Sequence, residues 1–181
     1  MNKERILTLT GFMGCGKSSV GRELSAAAGL PFTDLDEYIE RSQGRSIPEI
    51  FASEGETGFR RIESEALKSA LQECRSGILA LGGGALTTPG NVLLVKENTL
   101  CIYLRATVDT LVENLSDASE GRPMLSTEKP LREHIESLLK KREAAYIEAA
   151  SYIIDTDGLT PQQIALSIQS ELGMPVGGTG K

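Results

Sequence analysis

The chain has 181 residues, a size that ordinarily folds as one domain, and its 40% hydrophobic and 24% charged residues argue against wholesale disorder. A formal charge of −6, with no tryptophan, four tyrosines and four phenylalanines, supplies neither the basic surface nor the stacking rings that nucleic-acid or anionic-membrane binding needs. No stretch approaches the ~20 unbroken apolar residues of a membrane span, and Met1-Asn2-Lys3-Glu4-Arg5 leads into an apolar run without a signal-cleavage pattern, so a cytoplasmic location is expected.

Ile6-Leu7-Thr8-Leu9 reads as a strand and feeds Gly11-Phe12-Met13-Gly14-Cys15-Gly16-Lys17-Ser18, a full match to G-x-x-x-x-G-K-[ST]. The glycines let the backbone curl until successive N–H groups face a polyphosphate, and the following helix presents its N-terminal N–H groups and dipole to the same anion. Gly11, Gly14, Cys15, Gly16, Lys17, Ser18 and the adjoining Ser19 are candidate ATP contacts. Lys17 is suited to the β- and γ-phosphates and the Ser18 hydroxyl to Mg2+. Val20, Leu24, Ala27 and Ala28 recur at helical spacing, with Gly29 as the C-cap.

A second strand, Leu30 to Asp34, leads into Leu35-Asp36. Alternate residues of an extended backbone share a face, so Asp34 and Asp36 are expected to point into one pocket, Asp34 near Mg2+ or the reacting hydroxyl proton and Asp36 on substrate hydroxyls. Capping of the next helix is the alternative. Phe59, Ile62, Ala66 and Ala70 predict a helix before a third strand, Ile78-Leu79-Ala80-Leu81. Gly82-Gly83-Gly84 follows it, suggesting close backbone approach to a substrate, or a tight strand-to-helix turn.

Leu100 to Leu104 reads as the fourth strand, and the polar segment 114–130 as a lid-like insert. Within it, Arg122-Pro123 offers a cation for the transferring phosphoryl group, or a solvated loop charge. Ile135, Leu138, Leu139, Tyr146 and Ala149 form a helical apolar stripe that Arg142 interrupts. A buried arginine needs an anion, either Glu63 or a substrate carboxylate. Arg60 is a second candidate cation, and His134, between Glu133 and Glu136, reads as surface. Tyr152-Ile153-Ile154 is the fifth strand; Thr160-Pro161-Gln162-Gln163 opens a last helix that ends at Gly173, before a frayed tail at 174–181. Mostly unbroken apolar strands alternating with helices predict a parallel α/β sheet covered on both faces. Cys15, Cys74 and Cys101, odd in number and without CxxC, read as reduced thiols.

No N-K-x-D guanine-reading motif is present, and the third strand ends in glycines rather than aspartate, which sets aside GTPases and motor-type ATPases. A small-metabolite kinase is the expected class. The chain resembles the shikimate kinase family from about Ile6 to Leu172. The resemblance rests on residues 11–18, Asp34-x-Asp36, residues 44–51, Gly58-Phe59-Arg60-Arg61-Ile62-Glu63, Leu81-Gly82-Gly83-Gly84-Ala85, Arg122-Pro123, Arg142-Glu143-Ala144-Ala145-Tyr146 and Asp155-Thr156. It implies a P-loop nucleoside-monophosphate-kinase-like fold, with a parallel sheet ordered 2-3-1-4-5, flanking helices and a mobile lid.

The implied reaction is Mg2+-dependent transfer of the ATP γ-phosphoryl group to the 3-hydroxyl of shikimate, on the route to chorismate and aromatic amino acids. Carried over, Asp36, Arg60, Gly82, Gly83, Gly84 and Arg142 would bind shikimate, with Glu63 steadying the arginines and Ile47, Phe51 and Phe59 under the ring. Lys17 and Arg122 would stabilise the transition state, with Ser18 and Asp34 at Mg2+. Adenine-side arginines that many members carry are replaced here by Asn114, Leu115 and Asp157-Gly158, which implies looser nucleotide affinity or base selectivity. The family resemblance also implies a monomer. The competing readings are another kinase of this fold, such as a gluconate kinase, and a non-catalytic nucleotide-binding module, against which Lys17, Ser18, Asp34 and Arg122 argue.

Overall fold

The computed structural model describes residues 6–74, 76–116 and 130–174; Arg122, Pro123 and most of the expected lid and tail lie outside the described residues. The chain runs β1 (Ile6–Thr10), α1 (Lys17–Ala28), β2 (Phe32–Asp34), α2 (Leu35–Gln43), α3 (Ile47–Glu73) and β3 (Ile78–Ala80). A 3₁₀ turn (Ala85–Thr87), α4 (Asn91–Asn98), β4 (Thr99–Arg105), α5 (Val108–Leu115), α6 (Leu131–Ala149), β5 (Tyr152–Asp155) and α7 (Pro161–Leu172) follow. The strands form one parallel sheet ordered β2-β3-β1-β4-β5, as expected.

β1 sits at the centre, every residue buried, with Leu7 paired to Ile78 on one side and Leu100 on the other. The buried Thr8 hydroxyl bonds the Thr99 hydroxyl at 2.8 Å, and Thr99 in turn donates to the Val95 carbonyl, so neither is left unpaired in the core. Helices on both faces bury the apolar stripes read from the sequence, including Val20 and Leu24 of α1 and Phe59, Ile62, Ala66 and Ala70 of α3. Gly29 and Gly173 close α1 and α7 in the left-handed conformation, and the Thr160–Gln163 capping box opens α7. No helix among the described residues is long and apolar enough to cross a membrane.

The structure departs from expectation in several places. β5 is not covered on both faces: Tyr152 is 36% and Ile153 40% exposed, because this edge strand pairs only with β4. The segment beginning at Asn114 is not irregular from its start, since Asn114 and Leu115 form the last turn of α5, which Thr107 caps through the Thr110 N–H. Helix α3 is two helices joined at Gly55, whose φ of 68° and ψ of −175° break the spiral shortly before Arg60.

Gly21 shows how closely α1 lies on the sheet. A Cβ built there would stand 2.2 Å from the Phe32 ring. Alanine in a helix interior is ordinarily better than glycine by about 1 kcal/mol, but overpacking costs about 1–3 kcal/mol. Gly21→Ala is therefore expected to destabilise the protein by about 1 kcal/mol, read from the midpoint of urea unfolding; a stabilised variant would contradict this packing.

Candidate active site

The C-terminal ends of β1, β2 and β3 open onto a cavity of about 470 Å³. Gly14, Gly16, Lys17, Ser18 and Ser19 line one end; Asp36, Phe59, Arg60, Glu63, Gly82, Gly83, Gly84 and Arg142 line the other, and Asp34 is also in the wall.

At the first end the P-loop crosses from β1 to α1. Gly11 has φ 144°, and a Cβ on it would lie 2.5 Å from the Leu104 carbonyl oxygen, so no side chain fits. Lys17 is only 9% exposed and spans the loop, its Nζ donating to the Gly11 carbonyl at 2.9 Å and the Phe12 carbonyl at 3.0 Å. Cys15 is buried, and its N–H donates to the Phe12 carbonyl, so this residue braces the loop from beneath. Neither Gly11 nor Cys15 lines the cavity.

The two aspartates reach one cavity as expected, but not both from an extended strand. Asp36 is not on an extended strand: α2 begins at Leu35, Asp34 is its N-cap, and the Asp34 carboxylate accepts the Asp36 N–H at 3.0 Å. Asp34 also accepts the Ser18 hydroxyl, which sets a hydroxyl and a carboxylate side by side where the P-loop meets β2. Both aspartates nevertheless reach the cavity, Asp36 from the first turn of α2. Burial, then the neighbouring Asp34 charge, raises the Asp36 pKa, with Lys17 pulling the other way. Asp36 is exposed to the cavity, so its desolvation is milder than that of the buried Glu63.

At the second end, Arg60 Nη1 donates to Glu63 Oε2 at 2.6 Å. Glu63 is 1% exposed, and burial raises its pKa against the opposing pull of the Arg60 charge. The glycine run makes this packing possible. A Cβ on Gly82 would lie 2.7 Å from Glu63 Oε1, one on Gly84 2.3 Å from Arg60 Nη2, and one on Gly83 3.0 Å from the Met13 nitrogen of the P-loop. The run is thus a close approach and also a turn, since the 3₁₀ segment follows directly.

Arg142 is 3% exposed. Its Nη1 donates to the Gly83 carbonyl at 3.4 Å, and its guanidinium lies 5.7 Å from the centre of the Phe12 ring. Glu63, its expected internal partner, is held by Arg60, and among the described residues no carboxylate stands within 4 Å of Arg142. Phe51 and Phe59, with ring centroids 4.5 Å apart, join Ile47 as an apolar wall.

Two features in and behind the wall escape sequence reasoning. Asn114 lines the cavity and its Nδ2 donates to the Gly14 carbonyl at 2.8 Å, a contact between residues 100 apart that no local pattern encodes. Tyr146, legible only as a core residue, donates its hydroxyl to the Gly83 carbonyl. Chemically, an ammonium-braced phosphate cradle faces two guanidinium groups and a carboxylate, which suits phosphoryl transfer to a small hydroxylated anion. Ser18 and Asp34 offer the hard oxygens that Mg2+ prefers. Among the described residues no group of three or more His, Cys, Asp or Glu could hold a metal. Magnesium there would therefore complete its shell with water and phosphate oxygens, its usual habit in nucleotide sites.

A family model for shikimate kinase matches residues 13–173. The shikimate kinase of Thermodesulfovibrio yellowstonii is 40% identical over 165 residues, covering 91% of this chain and 93% of that protein. That of Thioalkalivibrio sulfidiphilus is 41% identical over 157 residues, covering 87% and 81%. Among solved structures, the Acinetobacter baumannii shikimate kinase in complex with shikimate superposes with a TM-score of 0.87 at 36% identity, covering 93% of each chain.

The raised Glu63 pKa means that the folded protein holds this proton more tightly than the unfolded chain. Its contribution to stability is therefore largest in acid and is lost as pH rises through the raised value. Glu63→Gln removes that dependence, so the melting temperature of the variant relative to the parent is expected to climb between about pH 4 and pH 7. Scanning calorimetry across this range checks it; a constant difference would contradict the shift.

Proposed function

The chain belongs to the shikimate kinase family, and from that premise we propose that its cavity transfers the γ-phosphoryl group of ATP to the 3-hydroxyl of shikimate, giving shikimate 3-phosphate and ADP. Arg142 carries the reading. A guanidinium this deeply buried, without a carboxylate beside it and opposite the phosphate cradle, calls for an anionic group on the acceptor.

The P-loop N–H groups and the α1 N-terminus hold the triphosphate, and Lys17 exchanges its carbonyl partners for the β- and γ-phosphate oxygens. Ser18 and Asp34 would hold Mg2+; when bound, the ion neutralises phosphate charge across the transfer. Asp34 already accepts from Ser18 and from the Asp36 N–H, which leaves Asp36 to face the acceptor hydroxyls. From the first turn of α2 it takes the hydrogen bond, and finally the proton, of the attacking 3-hydroxyl.

Arg142 and Arg60 grip the carboxylate, Glu63 keeps Arg60 in register, the glycine turn borders the ring, and Phe51 and Phe59 support its apolar face. Arg122 takes its place as the cation on the transferring phosphoryl group by resemblance alone. Among the alternatives, a gluconate kinase shares the need for cations but not the ring-sized apolar wall of Ile47, Phe51 and Phe59.

Coupled ADP release with shikimate, gluconate and nucleoside monophosphates tests the acceptor, and a preference for any other by more than about tenfold in kcat/KM overturns the assignment. Lys17→Met is expected to lower kcat by about 10²–10³ with the circular dichroism spectrum unchanged. Arg142→Ala is expected to weaken shikimate binding by about 100-fold or more while ATP binding persists, as read by calorimetry.

A further inference from the structure

Tyr146 follows Arg142 by one turn of α6, so the two side chains leave the helix on the same face. The tyrosine is fully buried, its ring is tilted on Tyr103 with centroids 5.2 Å apart, and its hydroxyl donates to the Gly83 carbonyl. Burial pushes its pKa up, against the pull of the adjoining Arg142 guanidinium, so the phenol keeps its proton at neutral pH. Arg142 donates to the same oxygen from 3.4 Å, the far limit of hydrogen bonding. A carbonyl has two lone pairs and accommodates both donors, but the phenol holds the better position.

This matters because Arg142 must exchange protein partners for substrate. Each strong bond it makes to its own backbone has to be broken first, and a buried guanidinium short of partners would otherwise take the nearest carbonyl. The carbonyl in question belongs to the middle of the Gly82–Gly84 turn. Nothing but backbone hydrogen bonds and packing fixes such a turn, because it has no side chains of its own.

We propose that Tyr146 is a positioning residue for the acceptor: its hydroxyl holds the better place on the Gly83 carbonyl, which leaves the Arg142 fork only weakly bonded there and available to the acceptor carboxylate. The inference rests on the proposed role of Arg142 in binding that carboxylate.

Tyr146→Phe in the full chain keeps the buried ring and removes only the hydroxyl. Kd and KM for shikimate are expected to rise about fivefold to tenfold, with kcat and the Kd of a non-hydrolysable ATP analogue within about twofold of the parent. Retained analogue binding also reports an intact fold. Tyr103→Phe removes a phenol from the same stack, one that donates instead to Glu143 at 3.3 Å, and should leave shikimate affinity unchanged. In the Arg142→Ala background, Tyr146→Phe should change shikimate Kd by less than about twofold, because the positioned fork is gone.

The inference is overturned if Tyr146→Phe leaves shikimate affinity unaltered while Arg142→Ala weakens it. Equal losses from Tyr146→Phe with and without Arg142, or a matching loss from Tyr103→Phe, overturn it as well. Unaltered affinity in Arg142→Ala itself would instead bring down the acceptor assignment, and this inference with it.

Discussion

A buried guanidinium with no carboxylate in direct contact is costly to fold, and the acceptor half of the cavity is arranged around one, Arg142. Glu63 attracts it from a distance while bonded to Arg60. Arg142 interrupts an apolar stripe on α6 between Ile135 and Tyr146, both completely buried. An apolar side chain there would serve stability better, since even paired charges often lose to hydrophobic replacements in protein interiors. What the protein supplies instead is partial compensation: a distant carbonyl, the face of Phe12 and the more remote charge of Glu63. The same economy governs Glu63, whose raised pKa reflects the difficulty of burying a carboxylate in this wall. Stability is given up locally so that a charged ligand meets groups that are already desolvated and aimed.

The two ends of the cavity are mechanically one object. Phe12 belongs to the P-loop, yet its ring lies under the Arg142 guanidinium. Gly83 belongs to the acceptor turn, yet its Cα packs so tightly on Met13 that a methyl group would stand 3.0 Å from the Met13 nitrogen. Leu115, at the end of α5, leaves no room for a side chain on Gly14, while Asn114 ties the Gly14 carbonyl. The spacing between donor phosphate and acceptor is therefore set by contacts between loops, supported by the fully buried β1 beneath them. In-line transfer is sensitive to that spacing, and close packing is what keeps it constant.

Much of this was legible in the chain itself. The P-loop, the five strands, the capped ends of α1 and α7 and the anomaly of Arg142 all follow from periodicity and local chemistry, whereas the sheet order came from the resemblance. The failures have physical causes. Helices α4 and α5 have only eight residues each, too short for a stripe to stand out, and local patterning does not register the packing that stabilises them. The Asp34–Asp36 relation was misread because an N-cap residue has extended dihedrals while the chain after it is already helical. The partner of Glu63 turned on which arginine reaches it first: Arg60 lies three residues away on the same helix, and Arg142 comes from another element. β5 has the composition of an interior strand, and only the topology makes it an edge.

The donors of the site share a further property. Lys17 rests on the Gly11 and Phe12 carbonyls, Arg142 on the Gly83 carbonyl and Asn114 on the Gly14 carbonyl. Each is held by a neutral oxygen rather than a carboxylate. Neutral acceptors satisfy a buried donor well enough to keep it ordered, but they are roughly half as strong as charged ones. A phosphate or carboxylate arriving in the cavity therefore replaces these bonds with better ones and need not break an ion pair to do so. Arg60 is the exception: one arm of its fork bonds the buried Glu63 at 2.6 Å and the other stands 3.6 Å from the exposed Glu56, so it meets the cavity already paired. Had Lys17 and Arg142 been given internal carboxylates, the fold would be easier to stabilise and the ligand would have to compete with its own binding site.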